Sequence, residues 1–186
     1  MTVNDIQNIF LEFNLYSDAE CDKILEYVEN LEDTNYTIKL DNKFYERGCS
    51  MKSADLLVNE STQWIFDKVK EKVQNLFEVE WIDNPHAVFR RYIPGDYFLE
   101  HKDNVDKTGA DKRYFTVTIQ LNSYNEYSGA TVTVNRNTRI SKHRGMAAIW
   151  GSNIPHEVSI LTTGSRTSLI FFVSSKHIKF NTNSLI

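Results

Sequence analysis

Two hydrophobic periods divide the chain. Ile9-Phe10-Leu11-Glu12-Phe13 reads as a short strand. Ser17-Asp18-Ala19-Glu20 follows as an S-x-x-E capping box, which satisfies backbone donors at a helix start. Ile24, Leu25, Val28 and Leu31 then recur at helical spacing and predict a first helix. The stretch from about Asp33 to Lys52 carries no clear pattern. A second helix is predicted over about Ala54 to Phe77, with Ile65, Val69, Val73 and Leu76 on one face.

From Val79 onward the pattern changes to strands. Ala87 to Ile93 reads as a strand ending at the turn Pro94-Gly95-Asp96, and Tyr97 to Asp103 continues extended. Tyr114 to Leu121 alternates well, with Phe115, Val117, Ile119 and Leu121 on one side and Thr116, Thr118 and Gln120 on the other. Ala130 to Val134, Met146 to Trp150, Val158 to Leu161 and Thr167 to Val173 complete the series. About seven or eight strands at turn-punctuated spacing imply an antiparallel sandwich or barrel. The expectation is a mainly β fold with flanking helices, its N-terminal helices packed on one sheet. A single domain is expected over 1–186, with a helical part at about 1–78 and a β core at about 79–175.

Composition narrows the chemistry. The 186 residues, 41% hydrophobic and 25% charged, suit one domain with a real core and argue against global disorder. Only Cys21 and Cys49 are present, which excludes a disulfide-stapled scaffold and a cysteine-rich zinc module. The net charge of -4 supplies no broad basic surface, so neither nucleic acid nor an anionic membrane is an expected partner. Neither a signal-peptide pattern nor an apolar run of membrane-spanning length appears, and a soluble cytoplasmic protein is expected. Nitrogen ligands for a metal would have to come from His86, His101, His143, His156 and His177.

His101-Lys102-Asp103 sets an imidazole and a carboxylate two residues apart, which in a strand point to one face. His156 comes later, near the start of another strand. Two histidines and one carboxylate form the facial triad of non-haem Fe(II) sites, which leaves coordination positions open. Arg166 lies ten residues after His156. If Thr162-Thr163-Gly164 is a hairpin turn that pairs Ile160 with Arg166, then His156 pairs with Ile170. Arg166 then stands four residues along the same face, roughly 13 Å at about 3.3 Å per residue. A metal ligand, a five-carbon diacid and a guanidinium could together bridge that distance. Arginine binds a carboxylate bidentately and keeps its charge when buried. Ser168 shares the face and could add a hydroxyl.

These blocks resemble the 2-oxoglutarate- and Fe(II)-dependent oxygenases, in particular their prolyl 4-hydroxylase-like branch. Residues 16–22 resemble the opening helix of that branch. Residues 91–104 resemble its R-Y-x-x-G-x-x-x-x-x-H-x-D-N block, and Ser128-Gly129-Ala130-Thr131 resembles a degraded G-G-E-L turn. Pro155-His156-Glu157-Val158 and Gly164-Ser165-Arg166-Thr167-Ser168 resemble the distal H-x-V…G-x-R-x-S block. The resemblance implies a double-stranded β-helix, or jelly roll. It implies His101, Asp103 and His156 as iron ligands, and Arg166 as partner of the distal carboxylate of 2-oxoglutarate. Tyr92 would donate its hydroxyl to the same co-substrate, with Ser168 assisting. The reaction implied is hydroxylation of a C–H of a peptidyl residue, with proline the family's example, coupled to decarboxylation of 2-oxoglutarate by dioxygen. A free amino acid is the alternative substrate.

Plainer readings stand beside these. Tyr92 also suits simple core packing, and Trp64 and Trp150 read first as core. Arg136, Arg139, Lys142, His143 and Arg144 form a basic run, read as a solvated loop or as a surface for an acidic substrate. A nucleic-acid dealkylase of the same fold is disfavoured, because Phe172 stands where that group has a further arginine. An iron-free binding module is disfavoured by the intact triad.

Overall fold

The computed structural model describes residues 9–31, 34–36, 49–81, 86–103 and 113–180. The chain runs β1 (Phe10–Asn14), α1 (Asp18–Glu29), β2 (Thr34–Tyr36), β3 (Cys49–Leu57), α2 (Gln63–Leu76), β4 (Phe77–Trp81), β5 (His86–Tyr92) and β6 (Tyr97–His101). It continues with β7 (Arg113–Gln120), β8 (Tyr127–Gly129), β9 (Val132–Val134), β10 (Thr138–Arg139), β11 (Met146–Gly151), β12 (His156–Val158), β13 (Leu161–Gly164) and β14 (Arg166–Phe180).

The capping box forms as expected. Ser17 N–H donates to Glu20 Oε2 at 2.8 Å, and Glu20 N–H donates to Ser17 Oγ at 3.3 Å. The second helix begins nine residues later than expected, at Gln63, because residues 49–57 form β3 instead. Ala54, Leu56 and Leu57 favour a helix by local propensity. Antiparallel pairing of Lys52–Leu57 with β5 overrides that preference.

The strands make two antiparallel sheets. The larger follows the order β1-β11-β7-β14-β5-β3, and the smaller β6-β12-β9-β10. β3 belongs to both, since Cys49 and Ser50 pair with β6 and the rest of the strand pairs with β5. β8 and β13 pair separately. This is the expected mainly β jelly roll with helices on one sheet.

Strand parity sorts the core into two layers. Phe115, Val117, Ile119, Leu169, Phe171 and Val173 join Ile24, Val28, Ile65, Val69 and Val73 of the helices in one cluster. On the other face of the larger sheet, Tyr92, Ala148 and Trp150 meet Val132, Val134 and Val158 of the smaller sheet in a second cluster. The sheets therefore face each other across an interior that the helices do not reach.

The expected hairpin around residues 162–164 is not observed. β13 pairs with β8, so Ile160 does not pair with Arg166 and His156 does not pair with Ile170. β14 instead leaves the turn to join the larger sheet, between β5 and β7. The backbones of β8 and β13 approach closely where they pair. Gly129 has φ +83°, and a Cβ there would lie 2.2 Å from the carbonyl oxygen of Ile160.

Candidate active site

His101 ends β6 and His156 begins β12, and the two residues are paired directly in the smaller sheet. Asp103 follows two residues after His101, just beyond the strand, and its N–H donates to Ser152 O at 3.0 Å. One ligand atom from each of the three side chains lies within 4.8 Å of the others. His101 Nε2 is 3.5 Å from Asp103 Oδ1, and His156 Nε2 is 3.2 Å from Oδ2. Both imidazoles are fixed from behind. His101 Nδ1–H donates to Leu99 O at 2.8 Å, and His156 Nδ1–H to Ile154 O at 3.1 Å. Those contacts turn each Nε2 toward the carboxylate.

Aromatic rings lock the orientation. Phe98 stacks on His101 with centroids 3.7 Å apart, and Trp150 meets His156 at 4.9 Å. Asp103 is 8% exposed. Burial opposes its charge, but hydrogen bonds and charge from His101 and His156 prevail and hold its carboxyl well below the usual carboxylate range. Burial likewise lowers the His156 pKa, yet its bond to Asp103 carries the balance upward. Thr116 on β7 adds a hydrogen bond not foreseen from the sequence, donating Oγ1–H to Asp103 Oδ2 at 2.5 Å. Its even parity among odd apolar positions is the signal that could have found it.

A second buried polar group lies on the inner face of the larger sheet. Arg166 pairs with Tyr92 of β5, and Ser168 with Gln120 of β7. Arg166 Nε–H donates to Gln120 Oε1 at 3.1 Å, and its guanidinium carbon lies 5.4 Å from the Tyr92 ring centre. Arg166, Ser168 and Tyr92 are all buried. Ser168 Oγ has no hydrogen-bond partner among the described residues. The two groups share one ruler, because Thr116 touches Asp103 and Gln120 touches Arg166. Four residues of β7 separate those contacts, roughly 13 Å at about 3.3 Å per residue. The expected hairpin does not supply this link; β7 does, by touching both groups.

Residues 87–174 match the family model described as the 2OG-Fe(II) oxygenase superfamily. The match spans 88 of the chain's 186 residues and includes His101, Asp103, His156 and Arg166. The oxygenase is accordingly a 2-oxoglutarate-dependent dioxygenase with Fe(II) and 2-oxoglutarate as cofactors. Solved structures carry the same fold along nearly the whole chain. A prolyl hydroxylase from Trichoplax adhaerens, in complex with a hypoxia inducible factor oxygen degradation domain peptide fragment, is 18% identical with a TM-score of 0.72. That match covers 94% of this chain and 87% of the other. A Pseudomonas putida prolyl-4-hydroxylase is 15% identical with a TM-score of 0.63, covering 94% and 97%. The viral collagen prolyl hydroxylase of Paramecium Bursaria Chlorella virus-1, in its 2OG complex, is 16% identical with a TM-score of 0.64, covering 89% and 96%. No curated protein matches by sequence.

The donor set of the oxygenase fits the metal. Two neutral imidazoles and a carboxylate suit Fe(II) with open positions, and the occupied Nδ1 atoms are the outer contacts such ligands need. Beside His101 opens a pocket of about 400 Å³, lined by Glu100, His101, Lys102, Asn135, Arg136 and Pro155.

Other expectations resolve individually. The basic run is divided among separate partners. Arg136 forms a fork with Glu100 at 2.8 and 2.9 Å, Arg144 reaches Asp22 at 2.5 Å, and Lys142 donates to Gly129 O at 2.6 Å. Trp150 is buried core and also a wall of the His156 site. Trp64 packs edge-on against Tyr16 at 5.9 Å. The loop at 105–112 and most of the region 33–52 lie outside the described residues. No helix among the described residues is long and apolar enough to cross a membrane.

Proposed function

We propose that the protein hydroxylates a C–H of a peptidyl residue, with His101 Nε2, Asp103 and His156 Nε2 holding Fe(II). Arg166, Ser168 and Tyr92 bind 2-oxoglutarate. The observation that carries this reading is the triad, in which Asp103 and His156 are buried and His101 is half-buried. Both Nδ1 atoms are spent on backbone carbonyls and both Nε2 atoms converge on one carboxylate. A pair of merely structural histidines has no need of that convergence.

Bound together, Fe(II) and 2-oxoglutarate couple reduction of dioxygen to release of CO2 and succinate, and to conversion of a substrate C–H to C–OH. The chain's own residues do the positioning. Thr116 and the Ser152 carbonyl fix the Asp103 side chain and backbone, so the carboxylate needs little reorganisation when a metal binds. Arg166, buried and held by Gln120, provides a planar fork for a carboxylate in a dry interior, where its charge is strongest. Tyr92 and Trp150 flank the interior and limit water access. The pocket beside His101 is the mouth through which a side chain would approach, and its polar rim suits an extended peptide. The Trichoplax adhaerens structure, with its bound peptide fragment, supports a peptide over a free amino acid.

The test is anaerobic loading with Fe(II), followed by 2-oxoglutarate turnover against a panel of peptides and free amino acids, read by product mass. A gain of about one oxygen on a peptide, dependent on both cofactors, is expected. Hydroxylation of free amino acids with peptides untouched would overturn the peptide assignment.

A further inference from the structure

Four side chains converge at the Arg166 end of the interior. Arg166 is 2% exposed, and its hydrogen-bond partner is the neutral amide of Gln120. No carboxylate among the described residues pairs with it, and a buried guanidinium without a counter-ion is costly. The Tyr127 hydroxyl is buried and has no hydrogen-bond partner among the described residues. Arg166 lies close enough to act on it: burial raises the phenol pKa, the guanidinium pulls it back, and the Glu126 charge raises it again. Ser168 Oγ, on the same face as Arg166, is likewise unpartnered. Lys142 enters from the connection between β10 and β11, its Nζ 5.0 Å over the Tyr127 ring. Burial lowers the Lys142 pKa, and the nearby Arg166 charge lowers it further.

Two cations and two unspent hydroxyls around one place have a shared complement. It is an acceptor-rich anion; the Glu126 carboxylate near Tyr127 accepts from Ser123 N–H and Asn122 Nδ2–H, and among the described residues no ion pair joins it to Arg166 or Lys142. We propose that Tyr127 and Lys142 complete the carboxylate site begun by Arg166. Tyr127 donates its hydroxyl to the far carboxylate of the co-substrate, and Lys142 adds a second positive charge beside it. This rests on the functional reading above and goes beyond it in one respect. A site with two cations and a phenol holds a five-carbon diacid by its far end before any metal is present.

The experiment titrates glutarate and 2-oxoglutarate into metal-free protein by calorimetry, for the wild type, Tyr127→Phe, Lys142→Met and Lys142→Arg. The wild type should bind both diacids. Tyr127→Phe and Lys142→Met should each weaken binding about tenfold, the loss expected for one hydrogen bond or charge at a buried anion. Lys142→Arg should stay close to the wild type. Added salt should weaken glutarate binding more in the wild type than in Lys142→Met. Fe(II) affinity and melting temperature, measured in parallel, should be unchanged in Tyr127→Phe, which keeps the ring beneath Lys142. Equal binding by the wild type, Tyr127→Phe and Lys142→Met would overturn this proposal and leave the functional reading standing. Failure of the wild type to bind 2-oxoglutarate with or without Fe(II) would remove both.

Discussion

Along β7 and β14 the odd positions and the even positions do opposite work. Phe115, Val117, Ile119, Leu169, Phe171 and Val173 point to the helices and pack with apolar neighbours. Thr116, Gln120, Arg166 and Ser168 point into the jelly roll, buried just as deeply but polar. Burial alone therefore says little about role here. The helix-side face has side chains whose value lies in volume, where Phe115 stacks on Phe77 at 4.5 Å. The inner face has side chains whose value lies in where a single polar atom is held. One set of backbone hydrogen bonds carries both, so the rigidity gained by packing the first face fixes distances on the second.

The contrast can be attacked most severely at the carboxylate. Asp103→Ala should abolish iron binding and turnover together while the fold survives, measured by metal stoichiometry and circular dichroism. Retained turnover would sink the ligand assignment. On the apolar face, Phe115→Ala should cost about 3–5 kcal/mol in urea unfolding, because a large side chain leaves a cavity. Iron affinity of the fraction that remains folded should barely change. Thr116→Val, one residue away and nearly equal in shape, should reverse that pattern. It should lower Fe(II) affinity about 10- to 100-fold with a small change in stability, since it removes only the hydroxyl on Asp103. If both variants instead lose stability and affinity in proportion, the two faces are not separable. A milder control lies outside both. Ser17→Ala should cost about 1 kcal/mol through loss of the α1 cap. The smallest effect is expected at Cys21, whose thiol is buried and pushed up to about 11. At pH 8 roughly one thiol in a thousand is then ionised, so alkylating reagents should label it only on unfolding.

Parity explains what is legible in the sequence. The alternation in Tyr114–Leu121 separates the two faces by itself, and His101, Asp103 and His156 do meet as a cluster. Arg166 stands out by its distance from His156, yet the strand pairing expected to produce that distance does not form. A Thr-Thr-Gly sequence looks like a hairpin turn locally, and only the pairing of β13 with β8 decides otherwise. Residues 49–57 mislead in the same way, because pairing with β5 outweighs the helix preference of Ala54 and Leu56. Tyr127 escapes notice because nothing near it in sequence marks a hydroxyl that folding brings beside Arg166. Thr116 and Gln120 are visibly polar, but their partners lie 13 and 46 residues away in the chain.

The use of β7 as the ruler has a consequence for selectivity. Side chains on one face of a strand recur every second residue, so sliding β7 by one position would exchange its two faces outright. A slide by two would restore the faces but carry Thr116 and Gln120 together about 6.6 Å along the strand, away from Asp103 and Arg166 at once. Backbone register therefore offers no graded control over the distance between the two polar groups. Finer tuning, by one methylene, is left to the side chains at the ends of the ruler. Under the proposed co-substrate assignment, changing Gln120 or Arg166, and not the sheet, is the way to re-gauge the enzyme for a longer or shorter diacid.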